Sequence, residues 1–274
     1  MLINRVDFEK VVSAVMEKSK YSFLPDHLVR MIAEKELSKG RSVKEAIKVV
    51  AGKLHQVGTG YFKNRPNYSK WRERYSHMWH DIQHSDARSL CREIMEEHNS
   101  TSERLPILED FFHRTLDSIS PLESILDLAC GLNPLALSWM PVNENTSYYG
   151  CDIFSDLAEF LNGFFHYFGL KGQFEVCNLL DPNWEKKPFN FAQVTFLLKT
   201  LTCLDQLEKN AGLRLLEKIP SPYILVSYPV ASLGGHAKGM RQNYENQFWQ
   251  LLEGKNWQVE KHVFSTELAF LIKK

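Results

Sequence analysis

The 274-residue sequence predicts an α/β protein, in which helices precede a Rossmann-like, seven-stranded sheet that ends in an antiparallel hairpin. From residue 124 onward, short apolar runs alternate with helical segments, which is typical of right-handed βαβ units and a parallel sheet. Only Thr266-Glu267 separates the last two runs. A join this short must be antiparallel, because a parallel crossover needs a dozen or more residues.

The first 105 residues show helical periodicity instead. Apolar residues recur there at three- and four-residue steps, and Ser42 and Glu45 have the spacing of a capping box at a helix start. We therefore expect a helical N-terminal domain over residues 1–105 and the sheet domain over residues 106–274. The expected helices cover residues 6–16, 28–40, 42–58, 87–98 and 105–121, and the expected strands cover 125–129, 148–152, 174–178, 192–197, 223–228, 259–265 and 268–272.

The turn after the first strand predicts a ligand. Residues 126–137 are an apolar run that breaks at an acid-bearing turn and resumes as apolar, as when a strand is followed by a helix. In doubly wound sheets this turn is where a nucleotide-like ligand binds. The turn lacks G-x-G-x-x-G and the chain has no GK[ST] loop, so a ligand with amines and hydroxyls fits better than a pyrophosphate. We therefore predict S-adenosylmethionine (SAM), with Asp152, 21 residues after Gly131, accepting hydrogen bonds from the ribose.

The charge distribution indicates a polyanionic partner. Residues 1–80 hold 16 Lys+Arg against 8 Asp+Glu, and residues 81–274 hold 17 against 25, so a net charge of zero hides a split of +8 and −8. An ordinary solvated helical surface is the alternative. Within residues 61–80 the cations favour RNA, whereas Trp71, Tyr75 and Trp79 have helical spacing and are expected to pack on the domain.

Other residues carry no predicted chemistry. The five cysteines (Cys91, Cys130, Cys151, Cys177 and Cys203) show no C-x-x-C spacing, so we expect reduced, buried thiols and no metal. The histidines His55, His77, His80, His84 and His98 are expected on surfaces or helix faces. Because no run of about 18 apolar residues exists and the N-terminus lacks a signal-peptide core, we expect a cytoplasmic protein.

Several stretches together carry a family resemblance. They are residues 53–61, 102–105, 126–137, 150–153, 232–240, 266–268 and 271–274. In combination they resemble the aminoglycoside-resistance 16S rRNA methyltransferases that modify guanine N7 in the decoding A-site. The resemblance implies the class I SAM-dependent methyltransferase fold. It also implies SAM-dependent N7 methylation, drug resistance, and 16S rRNA within the 30S subunit as partner; we expect a monomer in solution.

The resemblance also implies roles for individual residues. Arg104 would pair with the methionyl carboxylate of SAM, Gly131 would pass behind the cofactor, and Tyr61 would help to close the site. Where the family usually shows Gln-Asp near the adenine, this chain has Cys177-Asn178, with Asp181 as a substitute acid, and the family's proline three residues after Lys199 is Thr202. The implied cofactor contacts are Tyr61, Arg104, Asp127, Ala129, Gly131, Asp152, Ile153, Asn178 and Leu179, and the implied target-base contacts are Lys199 and Glu267.

The predicted RNA contacts follow from charge and position. They are Lys44, Lys48, Lys53, Lys63 and Arg65 in the N-terminal region, and Lys238 and Arg241 on the Gly-rich segment after the fifth strand. Two other functions remain open: a SAM enzyme acting on another RNA or on a small molecule, and a non-catalytic ribosome-binding factor. The Cys177-Asn178 departure keeps the second of these under consideration.

Overall fold

The computed structural model contains one sheet of seven strands. It describes residues 4–18, 21, 24–57, 61–62, 64, 66–181, 184, 191–230 and 239–274. The strands are β1 (Leu122–Leu128), β2 (Val142–Asp152), β3 (Gly172–Val176), β4 (Val194–Leu198), β5 (Tyr223–Pro229), β6 (Gln258–Val263) and β7 (Glu267–Lys273). All seven predicted strands are confirmed, with shifted ends.

The strand order is β3-β2-β1-β4-β5-β7-β6. The pairs among β1 to β5 are parallel, whereas β7 pairs antiparallel with both β5 and β6, as the short join predicted. Because β1 lies between β2 and β4, the segments that follow these three strands meet at one edge of the sheet. This edge is where a ligand binds in open α/β sheets.

Among the described residues between 4 and 96, five helices precede the sheet. They are α1 (Arg5–Met16), α2 (Asp26–Ser38), α3 (Val43–Val57), α4 (Tyr68–Tyr75) and α5 (Ser85–Glu96). The capping box at the start of α3 is confirmed: the backbone N–H of Ser42 donates to Glu45 Oε2 at 3.1 Å, and that of Glu45 donates to Ser42 Oγ at 3.4 Å. These two bonds satisfy amides that the helix itself leaves unpaired.

The segment between α5 and the sheet is broken, where one helix was expected. It contains α6 (Asn99–Arg104), a 3₁₀ turn (Leu105–Ile107), α7 (Leu108–Leu116) and a second 3₁₀ turn (Asp117–Ile119). Pro106 explains the first break, because it has no N–H to continue the helix. After β1 the expected helix is likewise a 3₁₀ segment, Asn133–Trp139, with Pro134 at its start. The remaining helices are α8 (Ser155–Tyr167), α9 (Leu201–Leu207), α10 (Ala211–Lys218) and α11 (Met240–Leu251).

The helical region and one face of the sheet share a continuous apolar core. Trp71 and Tyr75 of α4 are buried and contact the Phe160 ring of α8, with centroid distances of 5.5 and 6.3 Å. The packing role predicted for these two aromatics is confirmed. It is wrong for Trp79, whose side chain is 74% exposed because α4 ends at Tyr75. The shared core holds the first helices against the ligand edge of the sheet.

The cysteine prediction is wrong for two residues. A disulfide joins Cys151 and Cys177, because their positions on neighbouring parallel segments bring the two Cα atoms to 5.7 Å. Cys91, Cys130 and Cys203 are free thiols. Among the described residues, no helix is both long enough and apolar enough to cross a bilayer, and no group of His, Cys, Asp or Glu is arranged to hold a metal ion.

Candidate cofactor and target site

A cavity of about 800 Å³, including its open mouth, lies at the carboxyl edge of β1, β2 and β4. It brings together residues that are far apart in the sequence. Of the residues assigned to SAM or the target base, those that line it are Tyr61, Ala129, Gly131, Asp152, Ile153, Asn178, Leu179 and Lys199. Arg104, Asp127 and Glu267 lie behind this wall.

The turn after β1 is fixed by Asp152. The Gly131 N–H donates to Asp152 Oδ2 at 2.9 Å, and the Ile153 N–H donates to Oδ1 at 2.7 Å. Burial raises the pKa of this carboxyl, while the backbone donors oppose the shift. The Phe154 N–H is a third backbone donor to this carboxylate, so of its four acceptor positions one is left for a further donor. Because Asp152 lines the cavity, this acceptor position suits a hydroxyl of a ribose.

Gly131 is required where it stands. Its φ of +50° lies in the left-handed region, and a Cβ there would be 3.1 Å from Cε1 of the His98 ring. Ala129, two residues earlier, also has a positive φ of +58°. Such backbone conformations cost energy in residues other than glycine and are concentrated at functional sites. The turn therefore leaves a backbone-lined wall that a ligand can approach closely.

Asp127 supports the turn from behind. Its Oδ2 accepts from Tyr148 Oη at 2.6 Å and from Asn133 Nδ2 at 2.8 Å. Burial raises the pKa of Asp127 to about 6, against the lowering effect of these two donors. Asn133 Oδ1 in turn accepts from Arg104 Nη1 at 2.8 Å, which links Asp127 to the next charged pair. The described contacts of Asp127 thus position the turn, and a direct role of Asp127 toward the cofactor stays a prediction.

Arg104 and Glu267 form a buried two-bond ion pair. Arg104 Nε and Nη2 donate to the two oxygens of Glu267 at 3.1 and 2.6 Å, and both side chains are almost fully buried. Ser227 Oγ also donates to Glu267, at 2.5 Å. Burial raises the pKa of Glu267, but Arg104 and Lys199 outweigh it and hold the pKa below its usual value. The partners predicted for these residues, a methionyl carboxylate and a guanine edge, therefore compete with contacts already made.

Lys199 stands at the junction of this pair and the cavity. Its φ is +61°, and its Nζ donates to the Ser100 carbonyl at 3.0 Å and to Glu103 Oε2 at 2.6 Å, with Glu267 Oε2 at 3.6 Å. Both Ser100 and Glu103 lie on α6, so this short helix supplies the acceptors for the lysine. The side chain of Lys199 is only 4% exposed. Backbone conformations of this kind are concentrated at functional sites, and the role of Lys199 toward a target base stays a prediction.

Several residues that line the cavity were not predicted from the sequence. His98 was expected on a surface or a helix face, yet it is buried, lines the cavity and lies parallel to Tyr61 with 5.7 Å between ring centroids. Its Nδ1 has no hydrogen-bond partner among the described residues. Leu28 of α2 and Cys203 of α9 also line the cavity, and Tyr61 Oη lies 2.8 Å from Cys203 Sγ. The position of His98 four residues before the family-like stretch 102–105 was a usable signal; Leu28 gave none.

His98 makes a testable contribution to the pH dependence of stability. Burial first, then Lys199 and Arg104, lowers its pKa to about 3. This pKa is below the value of about 6.5 for an unfolded histidine, so the unfolded state binds a proton first as the pH falls. The free energy of unfolding therefore decreases below about pH 6.5. We expect wild type to lose about 2 kcal/mol more unfolding free energy than His98→Asn between pH 7 and pH 5, measured by urea titration. Equal losses would contradict the buried, neutral imidazole.

The predicted RNA-contacting cations fall into three groups. Lys44 and Lys48 on α3 are exposed, as is Arg241 at the start of α11. Lys53 is half-buried, and its Nζ lies 3.0 Å from Oε1 of the buried Glu36, which Lys39 and Arg41 also contact. Lys63, Arg65 and Lys238 lie outside the described residues. The exposed cations are free to meet a phosphate backbone without first leaving a buried partner.

The fold and the site define the class I SAM-dependent methyltransferases: a seven-stranded sheet with one antiparallel hairpin, and an acid-anchored glycine turn at the ligand edge. More specifically, the chain belongs to the family described as "Ribosomal RNA methyltransferase (FmrO)", which matches residues 17–271. The family resemblance and the fold predicted from the sequence are both confirmed.

Individual relatives agree with this family. The chain is 30% identical to the 16S rRNA (guanine(1405)-N(7))-methyltransferase of Micromonospora echinospora, over 99% of this chain and 97% of that protein. It is 29% identical to the enzyme of the same name from Micromonospora rosea, with the same coverage of both proteins. Among solved structures, the 16S rRNA methyltransferase RmtF in complex with S-adenosyl-L-homocysteine superposes with a TM-score of 0.79 at 25% identity, covering 98% of both chains.

Proposed function

We propose that this protein transfers the methyl group of SAM to N7 of a guanine in the decoding A-site of 16S rRNA, and thereby confers aminoglycoside resistance. The observation that carries the proposal is the cavity itself, where an acid-anchored glycine turn and the buried Lys199 line the same space. The family of the chain and the names of its relatives support RNA as the acceptor.

The residues present fit SAM by their chemistry. Gly131 leaves a backbone wall that a Cβ would fill, and Asp152 offers an acceptor to a ribose hydroxyl. Nδ1 of His98, which has no partner in the part of the chain that the structure describes, offers an acceptor or donor to the polar methionyl end of a ligand. An unpaired buried nitrogen costs about 1–3 kcal/mol, so a bound partner there is stabilising. When bound, SAM supplies an electrophilic methyl group on a cationic sulfur.

Guanine N7 is a lone-pair acceptor with no proton, so the protein needs no general base at this atom. Its task is to hold the base in line with the methyl donor, and catalysis is mostly orientation. The base must also leave its stack, and protein groups must hold it outside the helix. We assign this holding role to Lys199, whose ammonium lies at the cavity, with Glu267 behind it at 3.6 Å. Glu103 and Ser100 keep the ammonium in place.

We propose that residues 1–105 are the domain that docks on the 30S subunit, and that a cytoplasmic monomer carries out the reaction. The helical region carries the excess of positive charge, and its α2 contributes Leu28 to the cavity wall. Docking by α3 and cofactor binding beside α2 would therefore involve neighbouring helices of the same region. Phosphate contacts by the lysines of α3 would supply affinity that depends on salt and not on sequence.

Reversing two exposed lysines of α3 tests this docking surface. We expect Lys44→Glu/Lys48→Glu to weaken 30S binding at least tenfold and to lower the slope of log K against log salt by about 2, because two phosphate contacts are lost. The affinity for SAM should be unchanged. Lys171→Glu is a matched control, since Lys171 is exposed in the loop before β3, at the opposite edge of the sheet from the cavity. An equal loss of 30S affinity in the two variants would contradict the assignment of α3 as a docking surface.

Methyl transfer from tritiated SAM distinguishes the proposed function from its alternatives. We expect label in 16S rRNA when the acceptor is the 30S subunit, with little label when the acceptor is the 50S subunit. Transfer to other RNA alone would indicate a different RNA methyltransferase. SAM binding without transfer to any ribosomal substrate would contradict the proposal, and no SAM binding would indicate a ribosome-binding factor.

A further inference from the structure

A disulfide lies in the wall of the cofactor cavity. Cys151, the penultimate residue of β2, is bonded to Cys177, the residue after β3. The Cα–Cα distance of 5.7 Å lies at the usual spacing for such pairs. The Cys177 N–H also donates to the Asp152 carbonyl at 2.8 Å. The disulfide therefore joins two neighbouring parallel strands at the edge where the cavity opens.

The cross-link connects the two sides of the proposed adenosine site. Cys151 is followed by Asp152, which we assign to the ribose, and Cys177 is followed by Asn178, which we assign to the adenine; both of these residues line the cavity. Cys177 lines it as well, whereas Cys151 lies behind and is 2% exposed. The disulfide and the pairing of β2 with β3 together constrain the separation of the ribose and adenine contacts. Because Cys177 lines the cavity, a small thiol can reach it from there.

We propose that Cys151 and Cys177 are a reversible dithiol–disulfide pair, and that the disulfide form binds SAM more tightly than the dithiol form. The effect on SAM rests on the proposed cofactor role of the cavity. The physical reason is preorganisation: the cross-link limits relative motion of Asp152 and Asn178, so less freedom is lost on binding. A reducing compartment favours the dithiol, and an oxidant converts it to the tighter-binding form.

Glutathione disulfide oxidises the Cys151–Cys177 dithiol in two thiol–disulfide exchange steps. The Cys177 thiolate attacks one glutathione sulfur, breaks the S–S bond and releases one glutathione thiolate. The Cys151 thiolate then attacks Cys177 Sγ in the mixed disulfide and releases the second. The two protons of the cysteine thiols end on the two glutathione molecules. The cysteines lose two electrons and glutathione disulfide gains them.

Linkage makes the proposal quantitative. If the disulfide form binds S-adenosylhomocysteine about tenfold more tightly, the ligand must favour the disulfide over the dithiol by the same factor. For a two-electron couple, a tenfold change corresponds to a shift of about 30 mV toward more reducing potential. Bound ligand also covers Cys177, so it should slow both reduction and alkylation of that residue.

The test equilibrates the full-length protein in glutathione redox buffers, with and without saturating S-adenosylhomocysteine. Iodoacetamide quenching and peptide mass spectrometry then give the cross-linked fraction, and calorimetry gives the SAM affinity in each redox state. We expect about tenfold weaker SAM binding after reduction, and the 30 mV shift with ligand. In Cys151→Ser and Cys177→Ser the affinity should no longer depend on redox state. Cys91→Ser should respond as wild type does, since burial raises the pKa of the Cys91 thiol to about 12 and it lies on α5.

Two results would overturn the proposal: full alkylation of both cysteines at equilibrium with excess glutathione disulfide, or equal SAM affinity in both redox states. A different result would count against the cofactor assignment instead. If the pair titrates normally but no SAM or S-adenosylhomocysteine binds in either state, the reversible pair stands and the proposed function of the cavity fails.

Discussion

Glu267→Gln is expected to lower the free energy of unfolding by about 3–5 kcal/mol, because the change leaves the buried Arg104 guanidinium without its counter-charge. Glu267 accepts two bonds from Arg104 and one from Ser227, and it is fully buried. Urea unfolding at pH 7 measures the loss. Activity should fall with it, since Lys199 and the turn around Asn133 depend on the same network.

Glu93→Gln is the matched control for this change. Glu93 also pairs with an arginine, Arg74, but its side chain is 58% exposed. Surface pairs of this kind contribute about 0–1 kcal/mol, so the control should lose less than 1 kcal/mol. If Glu267→Gln is as stable as wild type while methyl transfer is lost, Glu267 acts on the target guanine and not as the partner of Arg104.

Asp152→Ala should weaken SAM binding about 100-fold, equivalent to about 3 kcal/mol. Two effects combine. The variant removes the acceptor assigned to the ribose, and it releases the Gly131 and Ile153 amides that Asp152 holds. Calorimetry with SAM measures the change.

Glu159→Ala is the control for this variant, because Glu159 lies on α8, the helix after Asp152, and is 74% exposed. Its SAM affinity should equal that of wild type. An unchanged affinity in Asp152→Ala would mean that the ribose is held by other residues and that the turn keeps its shape without the carboxylate.

The local pattern of apolar and polar residues was sufficient to predict the sheet. Alternating apolar runs located the seven strands, and Thr266-Glu267 fixed the antiparallel hairpin because no parallel crossover fits in two residues. The acid-bearing turn at Gly131 and the acid 21 residues later predicted a ligand site at this edge of the sheet, and both Gly131 and Asp152 line the cavity there. These features depend on residues close in sequence or on a simple register.

The contacts that could not be predicted join different elements of the fold, whose relative placement local patterns do not fix. Arg104 and Glu267 are 163 positions apart, and no periodicity links them. The packing of His98 against Gly131 depends on how α6 meets the sheet. The Cys151–Cys177 bond follows from the register of β2 with β3, which spacing alone did not reveal.

A methylation map of 16S rRNA tests the central claim most directly. Ribosomal RNA from cells that express this protein is treated with borohydride and aniline, which cleave at N7-methylguanine, and primer extension locates the cleavage. We predict one new stop at a guanine of the decoding A-site, absent in cells that express Asp152→Ala, together with growth in decoding-site aminoglycosides. An unmodified A-site in drug-susceptible cells that contain the folded, SAM-binding protein would contradict the account.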